Sequence, residues 1–596
     1  MLPSRMRVSI CAFITSAMVC LPLPAAVLHT PSGGLVKTLD PIQAEDLASR
    51  NLTALVYDTL LQYDYTARPY RLKPSMVTAM PKVSDDFKYY EFELRDDLYF
   101  SDDAVFSADK SSAKVTVEDV KFSLLRSADI RNHSPVYWMF RGKIAGLEEF
   151  RKKSGLLDNH DNSIYDEDLP GFKKISDRKF AIILKRSDPH FLYMLAMPNA
   201  GIVSRRAAEF YGEHLARHPV GSGPFVLKEW IANLRLEFRR NPGFRAEYFS
   251  DAPDIADRNR KLPLLDAVKI YQIRQPMSSW MMFLQGNVDI NVLDKDNLSQ
   301  LTFSGRELIP ALKARGIKLA RSPEFEIRYI GFNFDDPLLG KNVKLRQALS
   351  LAYNVQRRVT HVSGQLLPAQ GPIPPGVAGY DPDFINPFAV YDLEKAKKLL
   401  AEAGFPGGID PATGKPLKFT FDQSGTDTSH RQMGELAVDD WRKLGIEVDS
   451  VLNSKPRFFD KLRQGKFQLF RLSWVGDYPD AENFLQLFSS ANIGGCNRCR
   501  FSDPETDQLF NRITSLPNSE ERTELCKKMS KKLAEKCAWI YEGFPISCEL
   551  HHAWLKNFIP HDFHFVRWKY LDVDENLRNK LKSTFRPLSF RELSGK

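Results

Sequence analysis

FRLSWVGDYPDAENFLQLF, residues 470–488, is the segment of this sequence that gives the clearest indication of the fold class. The apolar run at its start predicts a buried strand over residues 467–474. A turn follows, and a short helix is expected from Pro479 onward. A strand that leads through a turn into a helix is the local pattern of an α/β protein, in which such turns often carry the functional groups.

The turn in this stretch carries the groups that a ligand site needs. Gly476 permits a tight backbone just before Asp477 and Tyr478. A carboxylate beside the aromatic face of Trp474 suits a ligand ammonium group, through charge pairing and cation–π attraction. Arg471 adds a planar set of donors that suits a carboxylate. The same pattern is compatible with Asp477 capping the helix that follows, and both interpretations stay open at this point.

The spacing R-x-x-W-x-x-D-Y, followed by a proline, an acid and Asn-Phe-Leu, resembles the solute-binding family 5 of ABC importers, which includes the dipeptide and oligopeptide receptors. In relatives that bind peptides, the aspartate of this motif pairs with the α-amino group of the peptide. The resemblance therefore implies that Asp477 receives the amine, with Trp474 and Tyr478 beside it. It also implies that Arg471 contacts a ligand carboxylate.

Further segments in the same order support this resemblance, which runs from about residue 35 to about residue 550. They are residues 39–64 (LDPIQAEDLASRNLTALVYDTLLQYD), 218–225 (HPVGSGPF), 342–359 (NVKLRQALSLAYNVQRRV) and 396–405 (AKKLLAEAGF). Between the first two, Thr116 followed by Glu118 and Asp119 predicts the start of a helix.

The family resemblance implies an α/β fold: a two-lobed periplasmic-binding-protein fold of type II, in the large cluster with an extra subdomain and with two crossovers between the lobes. We expect lobe I over residues 27–321, with an inserted subdomain at about 70–185. Lobe II then covers residues 322–545, and residues 546–596 return to lobe I. A ligand would be enclosed between the two lobes.

The N-terminus has the pattern of a secretory signal peptide, residues 1–26. Arg5 and Arg7 precede an apolar run at 8–21, and small residues follow it up to Ala25 and Ala26, where cleavage is expected. The apolar run is too short to span a bilayer comfortably, and no later stretch approaches the ~20 apolar residues that a spanning helix needs. An uncleaved anchor or a lipid anchor stays open as an alternative. The mature chain is expected in the periplasm.

The composition excludes some classes of protein. The 596 residues are 43% hydrophobic and 26% charged, which is ordinary for a globular chain with more than one core. The net charge of +9 is small for this length and has no long basic run, so nucleic acid is not an expected partner.

Other groups of reactive residues give weaker alternatives. Cys496 and Cys499 have the spacing of a local disulfide, with a zinc site as the rarer alternative. Cys526 and Cys537 are expected in the core. The loose cluster of His551, His552, His561 and His564 suggests surface groups rather than a metal site. Asp480 and Glu482 are the carboxylates on which a secreted hydrolase would depend, but no other catalytic motif accompanies them.

We therefore expect a receptor of an ABC importer that binds peptides and passes them to a membrane permease with its ATPase. The chain is expected to be a monomer and not an enzyme, with no cofactor and no metal. The same fold could instead take an oligosaccharide, an opine, glutathione, a nickel chelate or haem. The motif around Asp477 favours a ligand with a free amine.

Overall fold

The fold was analysed in a computed structural model, which describes residues 25–107, 110–158, 161–273, 275–293, 302–303, 307–589 and 592. Most of the expected signal peptide therefore lies outside the described residues. Within the described part of the chain, no helix is both long and apolar enough to cross a membrane.

The largest sheet has eight strands and is built around one long strand, Trp539–His551, which we call the return strand. In spatial order the main path through the sheet is Ile290–Val292, the return strand, Glu326–Phe332, Leu469–Val475, Lys418–Gln423 and Glu447–Leu452. Lys318–Pro323 and Leu366–Pro368 also pair with the return strand. Parallel pairing of Lys418–Gln423 with both of its neighbours gives the α/β character predicted from the sequence.

A second sheet has four strands, in the order Val27–Pro31, Ala267–Tyr271, Arg235–Arg240 and Phe225–Ile231. A third, antiparallel sheet has the order Lys82–Val83, Tyr89–Glu93, Lys179–Ile183 and Phe172–Lys174. Four two-stranded ribbons complete the described strands: Leu61–Tyr63 with Leu72–Pro74, Thr302–Phe303 with Glu307–Leu308, Ile409–Asp410 with Lys415–Pro416, and Leu555–Lys556 with Asp572–Val573.

The α-helices pack against these sheets. They are Leu47–Val56, Val117–Ala128, Leu147–Ser154, Phe191–Met194, Arg205–Tyr211, Pro276–Leu284, Pro310–Ala314, Val343–Ala352, Val355–His361, Leu393–Glu402, Thr428–Arg442, Lys455–Gln464, Glu482–Leu485, Pro504–Ser515, Glu520–Glu535 and Glu575–Lys582. The predicted start at Thr116 is confirmed, because its side chain and that of Asp119 form a reciprocal capping box.

Two consecutive strands, Lys318–Pro323 and Glu326–Phe332, form what we call the first crossover. Both strands pair antiparallel with the return strand. Together they cover most of the length of the return strand. The register shifts between Arg328 and Tyr329, so the paired segments are not one uninterrupted ladder. In the division into lobes expected from the sequence, the first crossover and the return strand are the two connections between the lobes.

The strand in the quoted stretch spans Leu469–Val475, which we call the motif strand, slightly later than the predicted 467–474. The following helix spans Glu482–Leu485 rather than starting at Pro479. Residues 476–481, between these two elements, form what we call the motif turn.

The expected disulfide between Cys496 and Cys499 is absent, which corrects that prediction: all the cysteines in the described residues are free thiols. Cys499 is buried, and its sulfur accepts a hydrogen bond from Trp539 Nε1 at 3.0 Å. Cys526 and Cys537 are buried, as predicted. Burial raises the pKa of the Cys499, Cys526 and Cys537 thiols to about 12, so they are held in the unreactive protonated form.

The packing of the first crossover depends on a glycine. A Cβ added at Gly331 would lie 2.4 Å from the Phe470 ring and 2.6 Å from Cys499 Sγ. We expect Gly331→Ala to lower the free energy of unfolding by about 1–3 kcal/mol, because overpacking forces its neighbours to move. Chemical denaturation measures this. Gly371→Ala is the control, because a Cβ added at Gly371 would lie 3.7 Å from its nearest neighbour, Ser530 Cβ, which is an ordinary van der Waals contact. Equal stability of both variants would contradict the prediction.

Candidate functional site

The motif strand pairs with the second strand of the first crossover. It runs antiparallel to Glu326–Phe332, with Trp474 opposite Ile327 and Arg471 opposite Ile330. Gly476 continues the pairing, because its N–H donates to Phe325 O at 2.8 Å. A Cβ at Gly476 would lie 1.8 Å from the Phe325 ring, so the close approach of the motif turn requires glycine.

Asp477 faces a cation from another part of the chain. Its Oδ1 lies 3.6 Å from Nη1 of Arg50 in the helix Leu47–Val56. The two side chains keep 25% and 19% of their exposure, so the pair borders an opening rather than the core. Burial raises the pKa of Asp477, while Arg50 counteracts this increase. The arrangement provides a largely dehydrated carboxylate that, in its ionised form, would hold a ligand cation strongly.

The capping alternative for Asp477 is wrong in this structure. The N-cap of the helix Glu482–Leu485 is Ala481, with no side-chain capping bond. Asp480, not Asp477, accepts from the N–H of Glu482, at 2.8 Å. The carboxylate of Asp477 is therefore not used to cap that helix.

One residue that the sequence did not single out, Asn483, orients the motif turn. Its Oδ1 accepts from Trp474 Nε1 at 2.9 Å and from the N–H of Asp477 at 3.2 Å. Asn483 itself is buried. The Trp474 indole and the Asp477 backbone are thus fixed by the same amide oxygen, which brings these two predicted site residues together.

Tyr478 lies in packing contact rather than at the opening. It is buried, and its ring stacks on that of Tyr193 with centroids 5.7 Å apart. Burial raises the pKa of Tyr478 well above its usual value, with Glu482 and Asp480 adding to the shift. The buried Tyr478 side chain therefore packs the motif turn against Tyr193.

Arg471 is held by a partner that the sequence did not reveal. Its Nε lies 2.9 Å from both carboxylate oxygens of Glu542 on the return strand, and Nη2 lies 2.8 Å from Oε2. Glu542 is fully buried and also accepts from the Tyr353 hydroxyl. Burial acts to raise the pKa of Glu542, but Arg471 and Tyr353 hold it below its usual value. Arg471, the first residue of the motif, therefore neutralises the buried charge of Glu542.

The two carboxylates of the hydrolase alternative are differently placed. Asp480 forms a buried ion pair with Arg522, at 3.0 Å and 2.5 Å. Glu482 Oε2 lies 3.5 Å from His190 Nδ1, and burial raises the pKa of Glu482 to about 7. Because the ion pair engages both oxygens of Asp480, this residue fixes the turn and is not a free acid or base.

A cavity of about 170 Å³ opens beside the motif turn. Its wall is formed by the helix that carries Arg50, the first crossover, the return strand and residues 561–565, which we call the C-terminal segment. The lining residues include Arg50, Glu324, Gly476, Glu549, His561 and Asp562. Within the described residues, no group of three or more His, Cys, Asp or Glu side chains is placed to hold a metal ion.

Residues 71–495 match the family model described as bacterial extracellular solute-binding proteins, family 5 Middle. The chain belongs to this family.

Curated relatives and a solved structure agree with the family. The chain is 27% identical to heme-binding protein A of Haemophilus influenzae over 492 residues, which is 81% of each protein. It is 26% identical to the periplasmic oligopeptide-binding protein OppA of Salmonella typhimurium over 541 residues, 89% of each. The structure of HbpA2 from Haemophilus parasuis matches 92% of this chain and 100% of its own, with a TM-score of 0.73 and 22% identity. The family and its two-lobed α/β fold, predicted from the sequence, are therefore confirmed.

The Arg471–Glu542 pair gives a test of how the motif strand is stabilised. We expect Arg471→Met to lower the free energy of unfolding by about 3–5 kcal/mol, because it leaves a buried carboxylate without its counter-ion. In the double variant Arg471→Met/Glu542→Gln the loss should be clearly smaller, since no charge remains buried alone. A chemical-denaturation double-mutant cycle measures the coupling. Additive losses would show that the two side chains act independently.

Proposed function

We propose that this protein is the extracytoplasmic receptor of an ABC importer and that it binds peptides by their free α-amino group. The observation that carries the proposal is the Asp477 carboxylate, held by the motif turn beside an opening and only partly exposed. The family membership supports the receptor role. The oligopeptide-binding relative that aligns with most of the chain supports a peptide as the ligand.

In this proposal the amine of the peptide takes the place now held by Arg50. Asp477 has one cationic neighbour within 4 Å in the described part of the chain, and that contact is long at 3.6 Å. An ammonium group at hydrogen-bond distance would interact more strongly with the carboxylate. The displaced guanidinium would then be free to donate to the main-chain carbonyl groups of the peptide. Trp474, fixed by Asn483, would flank the amine.

The proposed lobes follow the sequence prediction: residues 27–321 with 546–596, and residues 322–545, with the inserted subdomain at about 70–185. Arg50 and Asp477 belong to different lobes in this division, so a ligand between them would be enclosed as the lobes close. The first crossover and the return strand would act as the hinge, where few residues absorb the change in backbone angles.

We also propose that residues 1–26 direct export, that the mature monomer is periplasmic, and that it delivers its ligand to a permease with its ATPase. The names of the curated relatives are those of binding proteins, which favours binding over catalysis.

Asp477→Asn tests the amine site. We expect the affinity for Ala-Ala-Ala to fall by about 10–150-fold, the equivalent of a lost charge-assisted hydrogen bond. N-acetyl-Ala-Ala-Ala should bind the native protein as weakly as the free peptide binds the variant. Isothermal titration calorimetry measures both. The control is Asp449→Asn, an exposed aspartate paired with Lys418 on the strand Glu447–Leu452.

The pH dependence gives the same test without a mutation. Because burial raises the pKa of Asp477, its carboxylate takes up a proton earlier on acidification than an ordinary aspartate does. Affinity for the free peptide should therefore fall at a higher pH than the usual aspartate range, and Asp477→Asn should remove this component. If the variant binds Ala-Ala-Ala as tightly as the native protein, the amine does not bind at Asp477.

Arg50→Met tests the exchange of cations. Without the guanidinium, Asp477 lacks its internal counter-ion in the free protein, so we expect lower thermal stability of that state. The affinity for free-amine peptides should rise, because the amine no longer competes with Arg50. Calorimetry and thermal denaturation of the same variant measure the two effects. A fall in affinity would show that Arg50 contributes more to holding the peptide than it does to blocking it.

A further inference from the structure

The cavity of about 170 Å³ beside the motif turn has room for more than the amine of a peptide. One water needs only ~10–15 Å³ of such space, so the cavity can accept a chain of several heavy atoms. Val475, Gly476 and Arg50 line one side of it. A side chain of a residue near the amine at Asp477 could therefore enter this space without the peptide leaving the turn.

Glu324 is a carboxylate in this wall that has no counter-ion among the described residues. It lies between the two strands of the first crossover, where its N–H donates to Pro545 O at 2.7 Å and fixes the backbone. The side chain is only partly exposed, and no cationic group of the described residues lies within ion-pair distance of its carboxylate. A largely buried carboxylate without a counter-ion is costly, so it calls for a specific explanation.

The other carboxylates of the wall are already satisfied. Glu326 pairs with Arg328 at 3.0 Å, and Glu549 pairs with Arg567 at 3.0 Å. Asp562 accepts from the Tyr70 hydroxyl and from the N–H of Phe325. Burial, and then the negative charge of Glu326, raise the pKa of Glu324 to about 7. A cation entering the cavity would find its free acceptor at Glu324.

A second polar group in the wall lacks a partner. His561 is 2% exposed, and its Nδ1 accepts from the N–H of Phe563 at 3.1 Å. Burial lowers the pKa of His561 well below its usual value, so the ring is neutral and its proton lies on Nε2. Nε2 donates no hydrogen bond to any described residue. The neutral ring of His561 therefore adds no positive charge that could compensate Glu324.

We propose that this cavity is a subsite for a basic side chain, lysine or arginine, of the peptide held at Asp477, and that Glu324 is its counter-ion. The inference rests on the proposed function, because it assumes that a peptide occupies the motif turn. It goes beyond that function in naming a preferred class of ligand, a peptide with a basic residue at its amino terminus.

The test compares two tripeptides, Lys-Ala-Ala and norleucine-Ala-Ala, which differ in the terminal ammonium group of one side chain. The native protein should bind the lysine peptide about tenfold or more tightly, as expected for a charge-assisted contact. In Glu324→Gln this preference should disappear, while the affinity for the norleucine peptide stays the same. Glu447→Gln, an exposed carboxylate on a distant strand, is the control and should keep the preference.

The pH dependence of the preference gives a second readout. Glu324 must be ionised to hold a cation, so the preference should rise as the pH passes through about 7, the raised pKa of this carboxyl. The charges that act on Glu324 are those of Glu326 and Arg328 from the first crossover, Asp562, and Glu549 from the return strand. The other charged or titratable side chains that line the cavity are Arg50, His561 and His564. Glu324→Gln should abolish the rise.

The outcomes separate the two proposals. If the native protein binds both tripeptides equally well, the subsite is overturned and the peptide receptor stands. If Glu324→Gln keeps the preference for lysine, Glu324 is not the counter-ion and the inference is overturned as well. If neither tripeptide nor Ala-Ala-Ala binds, the peptide receptor is wrong, and the subsite falls with it.

Discussion

The pairing of the return strand with the first crossover determines the position of the motif strand in the largest sheet. These two segments are more than 200 residues apart in the sequence, and their contact joins the early and late parts of the chain. The motif strand then adds to the outer side of the first crossover, so its position follows from that pairing. The return strand also supplies Glu542, whose carboxylate forms an ion pair with Arg471. The same ladder thus fixes both the backbone and one side chain of the motif.

The motif turn is rigid because several buried contacts determine it at once. Asn483 fixes the Trp474 indole and the backbone of Asp477 with one oxygen. The Asp480–Arg522 pair ties the end of the turn to the helix Glu520–Glu535. These partners have no role at the opening themselves. They restrict the conformations of the turn and so hold the Asp477 carboxylate in its place near Arg50.

The sequence predicted the parts of the structure that depend on local pattern. The capping box at Thr116, the strand before Asp477 and the buried positions of Cys526 and Cys537 all follow from spacing and apolar periodicity. The order of the family segments predicted the two-lobed fold, and the family comparison confirms it. The motif also predicted Asp477 and Trp474 as site residues.

The partners of those residues could not be predicted, because they come from distant parts of the chain. Glu542 lies 71 residues after Arg471, and nothing in IYEGFPI distinguishes it from an exposed strand residue. Arg50 lies in an ordinary helix start, more than 400 residues before Asp477. The disulfide prediction failed for a related reason. The spacing of Cys496 and Cys499 is local, but the Cys499 sulfur is directed to Trp539, a residue of the return strand.

The charges around the opening show a common principle. Glu542 and Asp480, the fully buried carboxylates, have close arginine partners, and the pKa of each is held below its usual value. Asp477 has a cationic partner only at 3.6 Å, and Glu324 has none among the described residues. The pKa of each carboxyl is raised. Structural carboxylates are thus neutralised from within the chain. Among the described residues, Asp477 and Glu324 lack such a close arginine partner, so the cost of burying their charges is not offset in the same way. In the proposed complex, the cationic groups of the ligand would offset this cost.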